Sequence, residues 1–201
     1  MPLPPKIAVG FRVHSGWAAM VAVAGSPSRP VILDRRRIQI AEATKSGPVQ
    51  PYHMARDLGV ERGRPFLEEC REASKALASA SLEAAMKQIG GDRVRFCAVL
   101  MGSGRLSPTL EATLASHAAI HTAEGEFFRE VVVHAGESCG LRVRRIKEKE
   151  LFGLAEKQFD ETAVNLEKML DELGKVLGPP WQQDQKFAAL AAWIAAVDSS
   201  N

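Results

Sequence analysis

The sequence has no long hydrophobic run. Its longest uninterrupted apolar stretch, from Phe187 to Val197, has eleven residues, whereas about 20 are needed for a helix to cross a bilayer. The first residues, Met-Pro-Leu-Pro-Pro-Lys, also lack the positively charged start and the apolar stretch of a secretory signal. We therefore expect a cytoplasmic protein with no membrane partner.

An excess of charge of one sign is missing as well. Lysine and arginine number 26 against 24 acidic residues, so no strong overall field attracts nucleic acid, and any basic surface must be local. The content of 46% hydrophobic and 25% charged residues is ordinary for a soluble globular protein. It excludes a disordered chain, a coiled coil and collagen.

Cysteine and aromatic residues are scarce. The three cysteines, Cys70, Cys97 and Cys139, are odd in number and far apart, which indicates buried reduced thiols rather than a disulfide framework. One tyrosine and eight phenylalanines form no stripe of aromatic and basic residues of the kind that stacks on single-stranded nucleic acid.

What is present begins with three strand patterns. The apolar runs KIAVGFRV and WAAMVAVAG flank His14-Ser15-Gly16, which predicts an antiparallel hairpin over residues 6–25. A turn cluster then leads to VILDRRRIQI at residues 31–40, whose β-branched residues predict a third strand. Its charges favour an edge position.

The rest of the chain alternates between helical and strand patterns. Residues 45–65 are rich in glycine and proline and predict an irregular insertion with one helical turn at 52–58. After Pro65, apolar residues at helical spacing predict a helix as far as Gly90, with its buried stripe at Phe66, Cys70, Ala73, Leu77, Ala80 and Ala84. Further strands are predicted at 95–101, in a central position, and at 141–146, and further helices at 108–121, at 122–137 with Thr122 as the cap, at 151–177 and at 184–197.

The predicted order is β-β-β-α-β-α-β-α with an added C-terminal helix. Three consecutive strands followed by alternating helices and strands predict an α/β fold, with a mixed sheet and helices on both faces. No internal repeat or low-complexity tract divides the chain, so we expect one domain over residues 1–201. Residues 179–201 form its C-terminal helix and tail.

The closing stretch, LRVRRIKEKELFGLAEKQFDETAVNLEKMLDELGKVLGPPWQQDQKFAALAAWIAA, carries a family resemblance. It resembles the end of a RuvC-type Holliday junction resolvase: a last strand, a helix, a proline-rich break and an alanine-rich helix led by an aspartate. The opening hairpin is also similar, and the predicted element order is that of the ribonuclease H-like fold.

The resemblance implies carboxylates that this chain lacks at the matching positions. Family nucleases place an acid on the first strand, a glutamate at the end of the fourth and two aspartates on the last helix, which together hold two divalent ions about 4 Å apart. The matching positions here are Gly10 to Arg12, Leu100 to Gly102, and Gln185 with Ala188, and Asp184 is the only acid nearby. Arg12 would repel a metal, so we expect no two-metal nuclease activity, no bound metal and no cofactor.

Two histidines have spacing that suits a metal. His117 and His121 lie four residues apart, with Glu124 and Glu126 soon after, and a zinc or iron site can begin in this way. The predicted new helix at Thr122 and the absence of a glutamate directly after His117 argue against it. We interpret these residues as structural histidines.

A turn after the fourth strand is a candidate phosphate site. Gly102-Ser103-Gly104 does not match the Gly-x-Ser-x-Gly pattern of a hydrolase nucleophile. Its backbone amides with Arg105 suit a phosphate, and the carboxyl end of a central strand is where α/β sheets carry their sites. A plain turn is the alternative interpretation.

Two groups of arginines concentrate positive charge on predicted strands. They are Arg35, Arg36 and Arg37 on the third strand, and Arg142 and Arg144 on the fifth. Guanidinium groups pair well with phosphates, which favours contact with a nucleic-acid backbone; a solvated edge strand is the alternative. Candidate pocket residues are His14, Tyr52 and His53, and ordinary loop packing explains the last two equally well.

Three hypotheses of function follow. The first is a ribonuclease H-like interaction module without nuclease activity that binds nucleic acid or a nucleoprotein partner. The second is an enzyme of another class that uses the turn at 102–105 with His14 or His53 as general acid or base. The third is a homodimer formed by the apolar face of the closing helix, with Trp193 and Ile194; burial of that face against the sheet is the alternative.

Overall fold

A five-stranded mixed sheet forms the centre of the computed structural model, which describes residues 6–26, 29–42 and 47–197. The strands are β1 (Ile7–His14), β2 (Trp17–Ser26), β3 (Arg29–Gln39), β4 (Val94–Met101) and β5 (Arg142–Lys147). Their order is β3-β2-β1-β4-β5. The first three form an antiparallel meander, and β4 and β5 run parallel to β1. The predicted hairpin and the edge position of the third strand are confirmed.

Helices cover both faces of this sheet. They are α1 (Pro51–Leu58), α2 (Val60–Ile89), α3 (Leu110–Leu114), α4 (His117–Ser138), α5 (Leu151–Phe159), α6 (Ala163–Leu177) and α7 (Gln183–Val197), with short 3-10 turns at Gly91–Arg93 and Glu148–Glu150. One core lies between the sheet and α2 and α4, and the other lies beneath α5, α6 and α7. None of the helices in the described part of the chain has the length and apolar character to cross a bilayer.

The alternation of β1 assigns its residues to these two cores. Ile7, Val9 and Phe11 belong to the core beneath α2 and α4, whereas Gly10 faces α7. A Cβ atom on Gly10 would lie 2.0 Å from the carbonyl oxygen of Ala188. The two backbones therefore touch, and β1 requires glycine at this point.

The apolar face of α7 is part of the core. Trp193 and Ile194 are 2% and 0% exposed, and the indole nitrogen of Trp193 donates a hydrogen bond to the carbonyl oxygen of Ser26 at 3.2 Å. Because the sheet covers this face, it is not the surface for self-association that the sequence suggested.

The segment 45–65 is more regular than predicted. Helix α1 and the first turns of α2 occupy most of it; residues 45 and 46 lie outside the described residues. Gly59 joins the two helices with a φ of 78°, in the left-handed region that glycine adopts without strain. Pro65 consequently lies inside α2 rather than before it.

The buried face of α2 also differs from the predicted stripe. Ala73, Ala80 and Ala84 are exposed, and the face toward the core carries Gly63, Leu67, Cys70, Ser74, Ala78, Leu82 and Ala85. Alanines occur around the whole helix and do not distinguish one face from another. The larger side chains of Leu67 and Leu82 determine which face is buried.

Helix α4 is continuous across the predicted break at Thr122. The helix begins earlier, where the side chain of Ser116 accepts a hydrogen bond from the amide of Ala119 at 3.3 Å. The hydroxyl of Thr122 donates to the carbonyl oxygen of Ala118, a bond that a threonine within a helix makes. His117 and His121 therefore share one helix face.

The predicted helix at 151–177 is divided in two. Asp160 has a φ of 54° and ends α5, and the hydroxyl of Thr162 then accepts from the amide of Asn165 to begin α6. The apolar stripe continues across the break, with Leu166 and Leu170 buried.

The cysteines behave as expected from their spacing. Cys70 and Cys97 are buried, Cys139 is partly buried, and all three are free thiols. Burial raises the pKa of each.

Candidate functional site

The carboxyl ends of β1 and β4 open into a groove of about 610 Å³, which we call the strand-end groove. The parallel strands β1, β4 and β5 end at the same edge of the sheet, and helix α7 begins beside them. Crevices at this place in α/β sheets commonly bind ligands. The lining residues are Arg12, Val13, His14, Met101, Gly102, Ser103, Arg129, Glu148, Lys149 and Phe187.

Arg12 projects from β1 toward two carboxylates at the wall of this groove. Its Nε and Nη2 atoms donate to the two oxygens of Glu148 at 3.0 and 2.9 Å, and its Nη1 atom donates to Asp184 at 2.5 Å. The guanidinium also lies over the ring of Phe187, 5.4 Å from its centre. Arg12 of β1 is thus held by residues from the turn after β5 and from the start of α7.

These contacts shift the pKa values of Arg12 and Asp184. The hydrogen bond with Glu148 raises the pKa of Arg12 despite its partial burial. Burial alone would raise the pKa of Asp184, but the hydrogen bonds from Arg12 and His14 outweigh it and lower that pKa. Asp184 is therefore an ionised partner of the guanidinium at neutral pH.

His14 extends the same network toward the meander. Its Nε2 atom lies 2.9 Å from Oδ1 of Asp184, and its ring stacks on Trp17 with 4.3 Å between the ring centres. The guanidinium of Arg37 also lies over Trp17, 4.1 Å from the centre of its ring. Of the three predicted arginines on β3, Arg37 is the one that this stack connects to the groove.

On the opposite wall, Arg129 of α4 lies against the turn formed by Gly102, Ser103 and Gly104. A Cβ atom on Gly102 would lie 2.7 Å from Nη1 of Arg129, so the glycine makes room for this guanidinium. Arg129 lies 3.5 Å from Glu126. Ser103 lines the groove, and Arg105 is exposed on the same loop.

The charges in the groove favour an anion over a metal ion. Arg12, Arg129 and Lys149 supply three positive charges, whereas Glu148 is the one acid in the lining. That glutamate and the adjacent Asp184 are both bonded to Arg12. A divalent ion at either carboxylate would compete with this guanidinium and be repelled by its charge.

The other predicted arginines lie apart from each other. Strands β3 and β5 form opposite edges of the sheet, about 19 Å apart at the usual strand spacing, so their arginines do not line a single groove. Arg142 lies over the ring of Phe96 at 5.8 Å, and burial lowers the pKa of Arg144.

Two arginines on β3, Arg35 and Arg36, form hydrogen bonds with other parts of the protein. The guanidinium of Arg35 donates to the carbonyl oxygens of residues 177 to 180, at distances of 2.6 to 3.2 Å. Arg36 bonds to Asp34 and to Gln88 of α2.

The remaining predicted pocket residues, Tyr52 and His53, lie on α1. Their backbone amides donate to Oε1 of Glu124 at 3.2 Å each, and His53 lies beside His117 and His121. Neither Tyr52 nor His53 is among the residues that line the strand-end groove. The structure thus separates His14 and Ser103 from a second group of polar residues around His53.

Sequence reasoning missed three charged residues of the groove, Arg129, Glu148 and Lys149, and Trp17, which stacks on His14 beside it. The place of Glu148 directly after β5 was a signal, since residues that follow parallel strands meet at one edge of the sheet. Nothing in the sequence pointed to Arg129, which lies in the middle of α4.

Comparison with known proteins identifies the fold. No known family profile matches the chain, and no curated protein matches it in sequence. A structure of RuvC from Thermus thermophilus is similar with 9% identity and a TM-score of 0.54, over 94% of this chain and 92% of that one. The T. thermophilus RuvC in complex with a Holliday junction substrate is similar with 10% identity and a TM-score of 0.51, over 94% and 91%. The predicted ribonuclease H-like α/β fold is confirmed.

Proposed function

We propose that this chain is a ribonuclease H-like domain that binds the phosphate backbone of nucleic acid in the strand-end groove and does not cleave it by two-metal chemistry. The fold neighbour that holds a Holliday junction makes branched DNA the first ligand to test.

The observation that carries this proposal is the position of Arg12. Its guanidinium occupies the space between Glu148 and Asp184 and hydrogen-bonds to both. Two-metal cleavage requires carboxylate oxygens that are available to divalent ions. An arginine in this position neutralises those oxygens and repels a cation.

The same arrangement leaves positive charge for phosphates. Arg129 and Lys149 line the groove from α4 and from the turn after β5, and neither bonds to Glu148 or Asp184 as Arg12 does. Arg129 lies 3.5 Å from Glu126, which is longer than a normal hydrogen bond. A guanidinium binds phosphate oxygens with two parallel hydrogen bonds, and an ammonium adds a point charge. Arg105, exposed on the loop that carries Ser103, extends the surface outward.

Fluorescence anisotropy with labelled four-way junction, duplex and single-stranded DNA, in the presence of a chelator, tests the proposal. We expect metal-independent binding that weakens with salt. The slope of log K against log salt should be about −2 to −3 for two or three phosphate contacts on duplex DNA. The Arg129→Ala/Lys149→Ala variant should lose at least tenfold in affinity, and its salt slope should become shallower.

Lys175→Ala is the matched control, because Lys175 is an exposed residue of α6 that pairs with Glu172 outside the groove. It should bind as the unmodified chain does. The proposal fails if no DNA binds at low salt or if the double variant binds as tightly as the control. A thermal shift with nucleotides but none with DNA would favour an enzyme that uses the turn at 102–105.

A further inference from the structure

Three histidine side chains from two helices meet where α4 begins. His117 is the first residue of α4, His121 follows one turn later, and His53 comes from α1. One ring nitrogen of each lies within 4.8 Å of the corresponding atoms of the other two. The Nε2 atoms of His117 and His121 are 2.9 Å apart, and the ring of His53 is centred 5.6 and 5.1 Å from theirs. The three imidazoles thus converge on one point.

A buried carboxylate orients the histidine from α1. Oε1 of Glu124 lies 2.9 Å from Nδ1 of His53 and accepts the backbone amides of Tyr52 and His53. Glu124 is only 3% exposed. Because this contact occupies Nδ1, Nε2 of His53 is the nitrogen left for a ligand. Histidines that bind metals characteristically donate their other nitrogen to a carboxylate in this way.

The geometry and the ligand type favour zinc. Zinc binds imidazole nitrogen at about 2.0–2.1 Å in a tetrahedral arrangement, which places two such ligands about 3.3 Å apart. His117 and His121 are exposed, so small rotations of their side chains bring the nitrogens from 2.9 Å to that separation. Magnesium and calcium prefer oxygen ligands, whereas imidazole suits zinc and related transition metals.

We propose that His53, His117 and His121 bind one zinc ion, with the fourth coordination position open to solvent. Three protein ligands with an open position leave room for a water molecule or an anionic oxygen. The ion would also link α1 to α4. This site is separate from the strand-end groove and does not depend on the function proposed for it. It revises our interpretation of His117 and His121 as structural residues, because the pattern of α4 alone did not reveal the third ligand.

Metal titration of the full-length, chelator-treated chain without an affinity tag tests the site. Calorimetry with Zn²⁺ should give one ion per chain, and Co²⁺ should produce the visible absorption of a four-coordinate nitrogen site. His117→Asn and His121→Asn should each weaken Zn²⁺ binding by at least about 100-fold. Glu124→Gln, which changes a positioning residue, should weaken it by about 10–100-fold and retain the Co²⁺ spectrum.

His134→Asn is the matched control, since His134 lies on the same helix beside Ser138 and outside the cluster of three histidines. This variant should bind Zn²⁺ as the unmodified chain does. Thermal unfolding of each metal-free variant checks its fold. His117 and His121 are exposed, so their variants should fold even if His53→Asn does not. Zn²⁺ should raise the melting temperature of the unmodified chain and not that of His117→Asn/His121→Asn. No binding by the unmodified chain, or equal binding by His121→Asn and His134→Asn, would overturn the proposal.

Discussion

At the scale of single residues, Gly10 shows how closely α7 approaches the sheet. A methyl group at this position would lie 2.0 Å from the carbonyl oxygen of Ala188 and 2.7 Å from the amide nitrogen of Ala192. Both neighbours are backbone atoms of α7 and cannot rotate away as a side chain can. Any side chain on Gly10 would therefore push α7 off the sheet.

Gly10→Ala should consequently lower the free energy of unfolding by about 1–3 kcal/mol or more, as overpacking of a core does. Gly153→Ala provides a control of opposite sign, because Gly153 lies in α5 and the added methyl would meet nothing within 4 Å apart from its neighbours in the chain and the backbone of its own helix. Alanine in a helix gains about 0.5–1 kcal/mol over glycine. Urea denaturation measures both. Equal stability of the two variants would contradict the contact between β1 and α7.

Asp184 is the other residue whose contacts predict a measurable effect. Its lowered pKa means that its contribution to stability is present at neutral pH and is lost as the pH falls through the folded value, below the ordinary carboxyl pKa of 3.8. Asp184→Asn should be less stable than the unmodified chain by about 1–2 kcal/mol at pH 7. This gap should begin to close near pH 4 and should disappear once the pH lies below the folded pKa of Asp184.

Denaturant unfolding at a series of pH values checks this dependence. Asp57→Asn is the control, because Asp57 is an exposed residue whose distance to Arg56 is 3.5 Å, and surface pairs contribute little. Its stability should follow that of the unmodified chain at every pH. A gap for Asp184→Asn that does not change with pH would show that the pair with Arg12 contributes nothing.

At the scale of elements, Arg35 connects the edge strand to the end of α6. A helix ends with carbonyl groups that lack partners within the helix, and the guanidinium of Arg35 donates to the carbonyl oxygens of Leu177 and Gly178 at 2.8 and 2.6 Å. It also reaches the two prolines that follow. This residue therefore fixes the turn between α6 and α7.

Arg35→Ala should lower the free energy of unfolding by about 1–3 kcal/mol, since hydrogen bonds from charged groups contribute that much. Arg36→Ala should cost less than about 1 kcal/mol, because Arg36 pairs with Asp34 and Gln88 at a partly exposed surface. Thermal or chemical denaturation ranks the two. A larger loss for Arg36→Ala would contradict the capping role of Arg35.

The elements differ in how well the sequence predicts them. The strands follow from short apolar or β-branched runs and from the turns between them, such as the one at Gly16, which are local signals. The buried face of α2 does not, because alanines such as Ala73 and Ala80 suit either side. The break at Asp160 was also missed, since a left-handed aspartate has no strong pattern around it.

At the scale of the whole molecule, both candidate sites assemble residues from distant parts of the chain. Arg12 meets Glu148 and Asp184, which lie 136 and 172 residues away, and His53 meets a helix that begins at His117. The sequence indicated Arg12, Asp184 and His53 individually, and His117 with His121 as a pair. It did not connect Arg12 with Asp184, or His53 with the other two histidines, because only the packing of α1, α4 and α7 brings them together.

We propose that Arg12, bonded to Glu148 and Asp184, keeps divalent ions from these carboxylates. Incubation of a labelled four-way junction with an excess of the protein, with Mg²⁺ or Mn²⁺ and with a chelator, tests it most directly when the strands are resolved on a denaturing gel. We expect bound but intact junction strands under all three conditions. Divalent-ion-dependent cleavage that Glu148→Gln or Asp184→Asn abolishes would contradict it.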